Sequence, residues 1–258
     1  SSKVVTLRGA GADNTIVDGS GAGPVLRSSA SITVTDLTIR NGNATGNGGG
    51  LYITGTATLI NVHVVSNTAA GDGGGAYVNG AATVTGGLYQ QNACTGVNCS
   101  GGGLYTTSAA VTLSGTQFIS NTAIGGSGNR SGGGLFAFST ATVIGGLFQQ
   151  NTCTAAGCSG GGLFANGGLT LTNTQFISNT AVWHGGGIYV NGDAALKDGL
   201  FQGNGCTSSG CIGGGLYTTG LILTSTQFLS NTALGSGGGA YAHGHTTVTG
   251  GLFQGNAC

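Results

Sequence analysis

The chain predicts an all-β fold, a right-handed parallel β-helix (a solenoid) with three short strands in each coil. Three observations carry that expectation. Glycine triplets open at Gly48, Gly73, Gly101, Gly132, Gly160, Gly185, Gly213 and Gly237. Each run closes on an asparagine: Asn67, Asn92, Asn121, Asn151, Asn179, Asn204, Asn231 and Asn256. The offset from first glycine to asparagine is 19, 19, 20, 19, 19, 19, 18 and 19 residues, while 5, 8, 10, 8, 5, 8 and 5 residues lie between one asparagine and the next triplet. A unit of fixed length with insertions at one point describes a solenoid, because only one corner of the coil is free to bulge.

The 258 residues form a single domain, since added length in a repeat protein adds coils. Residues 48–258 hold eight regular coils, the last cut short, and residues 1–47 hold leading coils of looser repeat. About ten coils in all would give a rod on the order of 48 Å long at ~4.8 Å per coil. In the leading section Val4 to Leu7, Thr15 to Val17 and Val25 to Leu26 read as short strands, separated by turn-forming GAGADN and DGSGAGP. Ser31 to Asn41 alternates, with Ile32 and Val34 inward against Thr33 and Thr35. Ile39 stands two residues before Asn41, whereas later coils place the matching apolar residue three before; the extra residue implies a bulge or corner just ahead of the asparagine in those coils.

Within a unit the first strand carries an aromatic column: Tyr52, Tyr77, Tyr105, Phe136, Phe164, Tyr189, Tyr217 and Tyr241. The second alternates apolar residues with outward hydroxyls, as in Val111-Thr112-Leu113-Ser114 and Leu169-Thr170-Leu171-Thr172. The third carries the ladder Tyr89, Phe118, Phe148, Phe176, Phe201, Phe228 and Phe253. The asparagines suit a sharp corner, where Asn tolerates the left-handed backbone and its amide can bond its neighbours above and below. Eight amides lining a ligand groove is the competing reading, but eight equivalent residues describe a scaffold more than a site.

A two-coil rhythm lies over the one-coil repeat. Gln117–Asn121, Gln175–Asn179 and Gln227–Asn231 read Gln-Phe-Ile/Leu-Ser-Asn, and the coils between them read Leu-Phe/Tyr-Gln-x-Asn. With the aromatic pointing inward, its neighbours form an outer checkerboard of Gln and aliphatics. Ile119, Leu147, Ile177, Leu200, Leu229 and Leu252 are therefore expected to be exposed and to contact a neighbouring chain.

Six of the seven cysteines follow the same rhythm as Cys-x4-Cys pairs in the insertions of alternate units: Cys94 with Cys99, Cys153 with Cys158, and Cys206 with Cys211. Equivalent cysteines two coils apart would be roughly 9.6 Å apart, beyond the ~7 Å Cα separation a disulfide tolerates. Three local disulfides in an oxidising, extracellular or cell-surface setting follow. A zinc site would need four converging ligands, and the pairs are too far apart to share one. Cys258 follows Asn256 as Cys94 follows Asn92, so it reads as the first half of a fourth pair, unpaired in this chain.

Charge is sparse and balanced, six Lys+Arg against six Asp, with no Glu. That leaves no electrostatic footprint for nucleic acid, and no apolar run is long enough to span a bilayer as a helix. The absence of Met and the Ser-Ser-Lys start suggest a processed or partial chain.

The paired motifs, Gly132-Gly133-Gly134-Leu135 with Phe148-Gln-Gln-Asn151 and Gly185-Gly186-Gly187-Ile188 with Phe201-Gln-Gly-Asn204, resemble the repeats of the chlamydial polymorphic outer membrane proteins and, more broadly, autotransporter passenger β-helices. The resemblance covers residues 48–258. It departs from that pattern in the usual Gly at the third motif position and in the cysteine loops. It implies an adhesin or surface-layer component.

An enzyme is the competing class, because β-helices also include polysaccharide lyases and hydrolases. Two facing carboxylates would be needed for hydrolysis. Asp13, Asp18 and Asp36 fall in the leading coils and Asp72 stands alone in a loop, leaving Asp193, Lys197 and Asp198 in one coil as the strongest cluster. Turn-capping and a solvated strand edge explain those three more simply. His243-x-His245 offers two metal ligands without a third nearby, and Trp183 beside His184 suits local packing better than sugar stacking. No catalytic residue, metal or cofactor is expected. The expected function is a secreted structural or adhesive solenoid able to self-associate into a filament or surface layer, or to meet surface proteins and glycans. The alternative is a polysaccharide-binding or polysaccharide-degrading β-helix.

Overall fold

The computed structural model describes residues 4–107, 109–124 and 131–258. Among the described residues there is no helix, and every pairing between named strands is parallel and joins one coil to the next. The strands collect into three sheets of eighteen, nine and seven members, wound as a parallel β-solenoid of about nine turns.

One coil shows the plan. Leu104–Thr106 belongs to the nine-stranded sheet, Val111–Ser114 and Gln117–Ile119 both belong to the eighteen-stranded sheet, and Thr122–Ala123 belongs to the seven-stranded one. The second and third expected strands are thus two halves of one sheet. They are continuous in one leading coil, as Ile32–Arg40, and in the first regular coil, as Ala57–Val65. The seven-stranded sheet, two residues per coil just after the asparagine, has too few residues to show a period and was not foreseen.

Three backbone corners define each coil. Between the two halves of the large sheet the corner carries a positive-φ residue in successive coils: Asp36, Asn61, Gly86, Gly115, Gly145, Asn173, Asp198, Ser225 and Gly250, followed by a second in Gly87, Gly146 and Gly251. At the second corner the left-handed residue stands immediately before the asparagine, as Ser66, Gln91, Ser120, Gln150 and Ser178 do. That corrects the expected role of the asparagine itself, which leaves the left-handed conformation to its neighbour and spends its side chain on hydrogen bonds. The corner expected just ahead of the asparagine is therefore present, but it is no extra residue relative to the leading coil. Asn41 has φ 56° and occupies the left-handed position, and Gly42 stands at the ladder position, donating its N–H to Asn67 Oδ1. Ile39 is therefore three residues before the ladder position, like every later aromatic.

The third corner is the glycine triplet, and in the Gly101 coil each glycine answers a different constraint. Gly101 has φ 68°. A Cβ on Gly102 would lie 2.4 Å from the Gly133 and Thr122 carbonyl oxygens, and one on Gly103 would lie 3.0 Å from the Phe118 ring. The triplet is where the backbone closes over the core, so any side chain there would displace the adjacent coil.

Inside, like lies on like. The rings of Tyr89, Phe118, Phe148, Phe176, Phe201, Phe228 and Phe253 stack with successive centroid separations of 4.7, 4.7, 4.6, 5.1, 4.5 and 4.9 Å and planes within 10° of parallel. Tyr89 to Phe228 are wholly buried. The column continues downward through Val64, Ile39 and Val17 in strand register. Burying each ring stabilises by roughly 1.5–3 kcal/mol.

Beside it runs the asparagine ladder. Each Nδ2 donates to the next Oδ1 at 2.9–3.0 Å from Asn67 through Asn256. The other Nδ2 proton goes to a carbonyl of the preceding coil, for example Asn151 to Phe118 O at 2.8 Å. Each Oδ1 also receives a backbone N–H, as Asn151 Oδ1 does from Asn121 at 3.0 Å. Buried amides must be paired, and here both donors and the acceptor are.

Candidate functional surfaces

With the interior filled by side chains of the rod itself, function falls to the outer surfaces. The asparagines from Asn67 to Asn231 are wholly buried, so they line no groove.

The cysteine corner is the first surface. Cys94–Cys99, Cys153–Cys158 and Cys206–Cys211 are disulfide-bonded, with Cα atoms 5.8, 5.7 and 5.9 Å apart, and Cys258 is free and exposed. The six bonded cysteines are buried. They form two small buried clusters, Cys94, Cys99, Cys153 and Cys158 with Ala123 and Ala181, and Cys206 and Cys211 with Ala233, in strand register in the order Ala69, Cys94, Ala123, Cys153, Ala181 and Cys206. Each disulfide thus rests on a methyl group from the coils on either side. Only the loop tips project, and Val97 is 83 % exposed. In the shorter insertion between Asn67 and Gly73, Asp72 accepts the Ser100 N–H at 2.8 Å, while burial pushes its carboxyl above the ordinary aspartate range.

The second surface is the Gln/aliphatic checkerboard. Leu147 pairs in register with Gln117 and Gln175, and Ile177 with Gln149 and Gln202. Ile119, Leu147, Ile177, Leu200 and Leu229 point away from the core but are only half-buried, not exposed as expected. The stems of the glutamines above and below cover their flanks. Leu252, in the last coil, is 44 % exposed.

The third surface is the outer side of the nine-stranded sheet. Its aromatic column stacks from Tyr52 to Tyr241 with centroids 4.7–5.7 Å apart. The Arg27 guanidinium lies 4.5 Å over the Tyr52 ring and covers that end of the column. His184 stacks on Tyr217 at 5.4 Å, and its Nδ1 accepts the Ile212 N–H. Burial lowers its pKa, in keeping with a neutral imidazole. The Trp183 ring tilts against His184 at 4.6 Å, and the Trp183 backbone N–H donates to Cys158 O. Its ring also faces Gly210 of the neighbouring loop, so Trp183 is half-buried and locally packed.

The acidic candidates do not converge. Asp193 begins the strand Asp193–Lys197 and Asp198 lies just past its end. Five extended residues separate their Cα atoms by roughly 16 Å, more than the ~5–9.5 Å that glycoside hydrolysis requires between carboxyl groups. Asp198 is a corner residue with φ 53°. Asp193 instead faces His245 at 4.0 Å, beside a shallow groove of about 240 Å³ that Thr140, Thr170 and Ile222 also line. His243 approaches Tyr241. Among the described residues no three His, Cys, Asp or Glu side chains come together as a metal site, and no helix is long and apolar enough to cross a membrane.

No protein-family model, curated protein or solved structure matches this chain.

Proposed function

We propose that this protein is an extracellular structural or adhesive solenoid of the kind its repeats resemble, a stiff rod whose outer faces meet other molecules. The observation that carries this reading is the pairing of six cysteines in three buried disulfides along the rod, a pattern suited to an oxidising compartment. The uninterrupted amide ladder supports it, because a load-bearing rod needs the same contact in every coil. The checkerboard face, with its outward aliphatics, is the surface assigned to self-association into a filament or surface layer.

The test is alkylation of the native protein in its own cells, with and without reductant, together with fractionation. Three blocked cysteine pairs in the surface or secreted fraction are expected. Fully reactive thiols in a cytosolic fraction would overturn the reading. For assembly, micrographs should show fibres, and Leu147→Arg with Leu200→Arg should reduce them to short particles. Monodisperse short particles from the unaltered protein would reject assembly while leaving the location intact.

The Asp193–His245 groove favours the second reading, polysaccharide binding or cleavage. Cleavage of an acidic polysaccharide that disappears in Asp193→Asn would establish it.

A further inference from the structure

The outer face of the first half of the large sheet is the least explained part of the surface. Along it Thr6, Thr33, Thr58, Thr83, Thr112, Thr142 and Thr170 are paired in strand register, one per coil without a break. A second outward position two residues along the strand holds Thr35, Thr85, Ser114 and Thr172, with Ile60 and Ile144 between them. The apolar residues between the two columns, such as Val84 and Leu113, are buried, so the threonines of the first column stand on the solvent side, whereas in the second the Thr35 hydroxyl is buried and has no hydrogen-bond partner among the described residues. Thr83, Thr112 and Thr170 are exposed.

A wet strand face asks only for residues that are polar and β-forming. Solubility would be served as well by Lys, Gln or Ser, scattered and interchangeable. Seven identical β-branched residues in file are a stronger requirement. Branching at Cβ restricts χ1, so the methyl and hydroxyl of each threonine are held close to the strand with little rotamer freedom. The result is a two-dimensional array spaced ~4.8 Å along the rod and roughly 6.6 Å across the strand. Between Thr33 and Thr172 its two outward columns carry no charge.

We infer that this face binds an ordered, uncharged lattice, and that the lattice is ice. A periodic array of rigid hydroxyls and methyls gives nothing special to a single small ligand, which would touch one coil. It gains with every coil when the partner repeats at the same spacing, because each further contact forms without a separate loss of translational freedom. Ice surfaces present oxygen rows at separations close to both spacings of this array. Methyl groups hold first-layer water in place while the hydroxyls bond to it. A crystalline polysaccharide is the other uncharged lattice, but its sugar rings favour aromatic platforms, and this protein's aromatic column lies on a different sheet. The inference goes beyond the structural reading and does not depend on it.

The experiment measures ice-crystal shape and the gap between melting and freezing points in solutions of the intact protein. Faceted crystals and a measurable gap are expected. The double variant Thr83→Lys with Thr142→Lys should lose most of the gap. Thr83→Ser with Thr142→Ser, which keeps the hydroxyls and the fold but removes the methyls, should lose part of it. Asn98→Lys, in an exposed loop on neither sheet face, should leave it unchanged, and circular dichroism should show all variants folded. An absent gap in the unaltered protein would overturn the inference, including the case in which it binds crystalline cellulose or chitin instead. Equal losses in the Thr83/Thr142 and Asn98 variants, or none in either threonine double variant, would also overturn it.

Discussion

The phenylalanine–asparagine seam and the cysteine corner lie a few residues apart in every coil, yet they repeat with different periods. The seam repeats once per coil, with Phe over Phe and Asn over Asn. The corner repeats every second coil, with a disulfide over an alanine over a disulfide. The difference follows from what each group can do with a copy of itself at about 4.8 Å. An aromatic ring offset-stacks on its copy, and a primary amide donates to one neighbour while accepting from the other. A disulfide is wider than one coil spacing allows in every coil, so small side chains must alternate with it. The Gln/aliphatic checkerboard shares the two-coil period on the outer surface. Inside the rod, groups that stack on their own copy set a one-coil period, and the disulfides set a two-coil period.

Breaking the seam should have the largest effect. Asn151→Ala leaves the Asn121 N–H and one Asn121 Nδ2 proton unpaired in a buried site, and it takes one of two donors from the Phe118 carbonyl. At ~1–3 kcal/mol for each orphaned group, a loss on the order of 5 kcal/mol is expected in urea unfolding. Phe176→Ala opens a cavity between two stacked rings and should cost about 3–4 kcal/mol. The corner should be less sensitive. Removing both Cys153 and Cys158 as alanines frees a short loop, for a loss of about 2 kcal/mol by thermal or urea melts. Ala123→Leu, which forces bulk between two disulfides, should cost about 1–3 kcal/mol. A neutral Ala123→Leu would contradict the alternation rule. The smallest change should be a gain. Tyr89 is the one tyrosine in a column of phenylalanines, and its buried hydroxyl has no partner. Tyr89→Phe should therefore raise stability by about 1 kcal/mol.

The same rule explains what could be read without coordinates. Columns with a one-coil period, such as Phe118, Phe148 and Phe176, show themselves because each unit repeats the same letter. The cysteine pairing was readable from the spacing, but the burial of the pairs was not, because their alanine partners stand in other coils and look unremarkable. Asp198 drew notice as an acid, although Asp36, Asn61, Asn173 and several glycines at the equivalent position mark a left-handed corner. The asparagine's own backbone was misassigned because Asn tolerates the left-handed region, which here falls to the residue before it, and the extra residue was inferred because Asn41 falls one residue short of the ladder, where Gly42 stands in for it. The outward aliphatics were placed on the correct side of the sheet, but their cover by glutamine stems depends on register between coils, which a single unit does not display.

The most direct test of the stacked interior is hydrogen exchange of the asparagine side-chain amides, followed by NMR. The Nδ2 protons of Asn121, Asn151 and Asn179 should exchange orders of magnitude more slowly than those of exposed Asn98, because each is held by the adjacent coil and shielded from water. Exchange at the rate of Asn98 would mean that the amides do not form a continuous ladder, and the account of the rod built on it would be wrong.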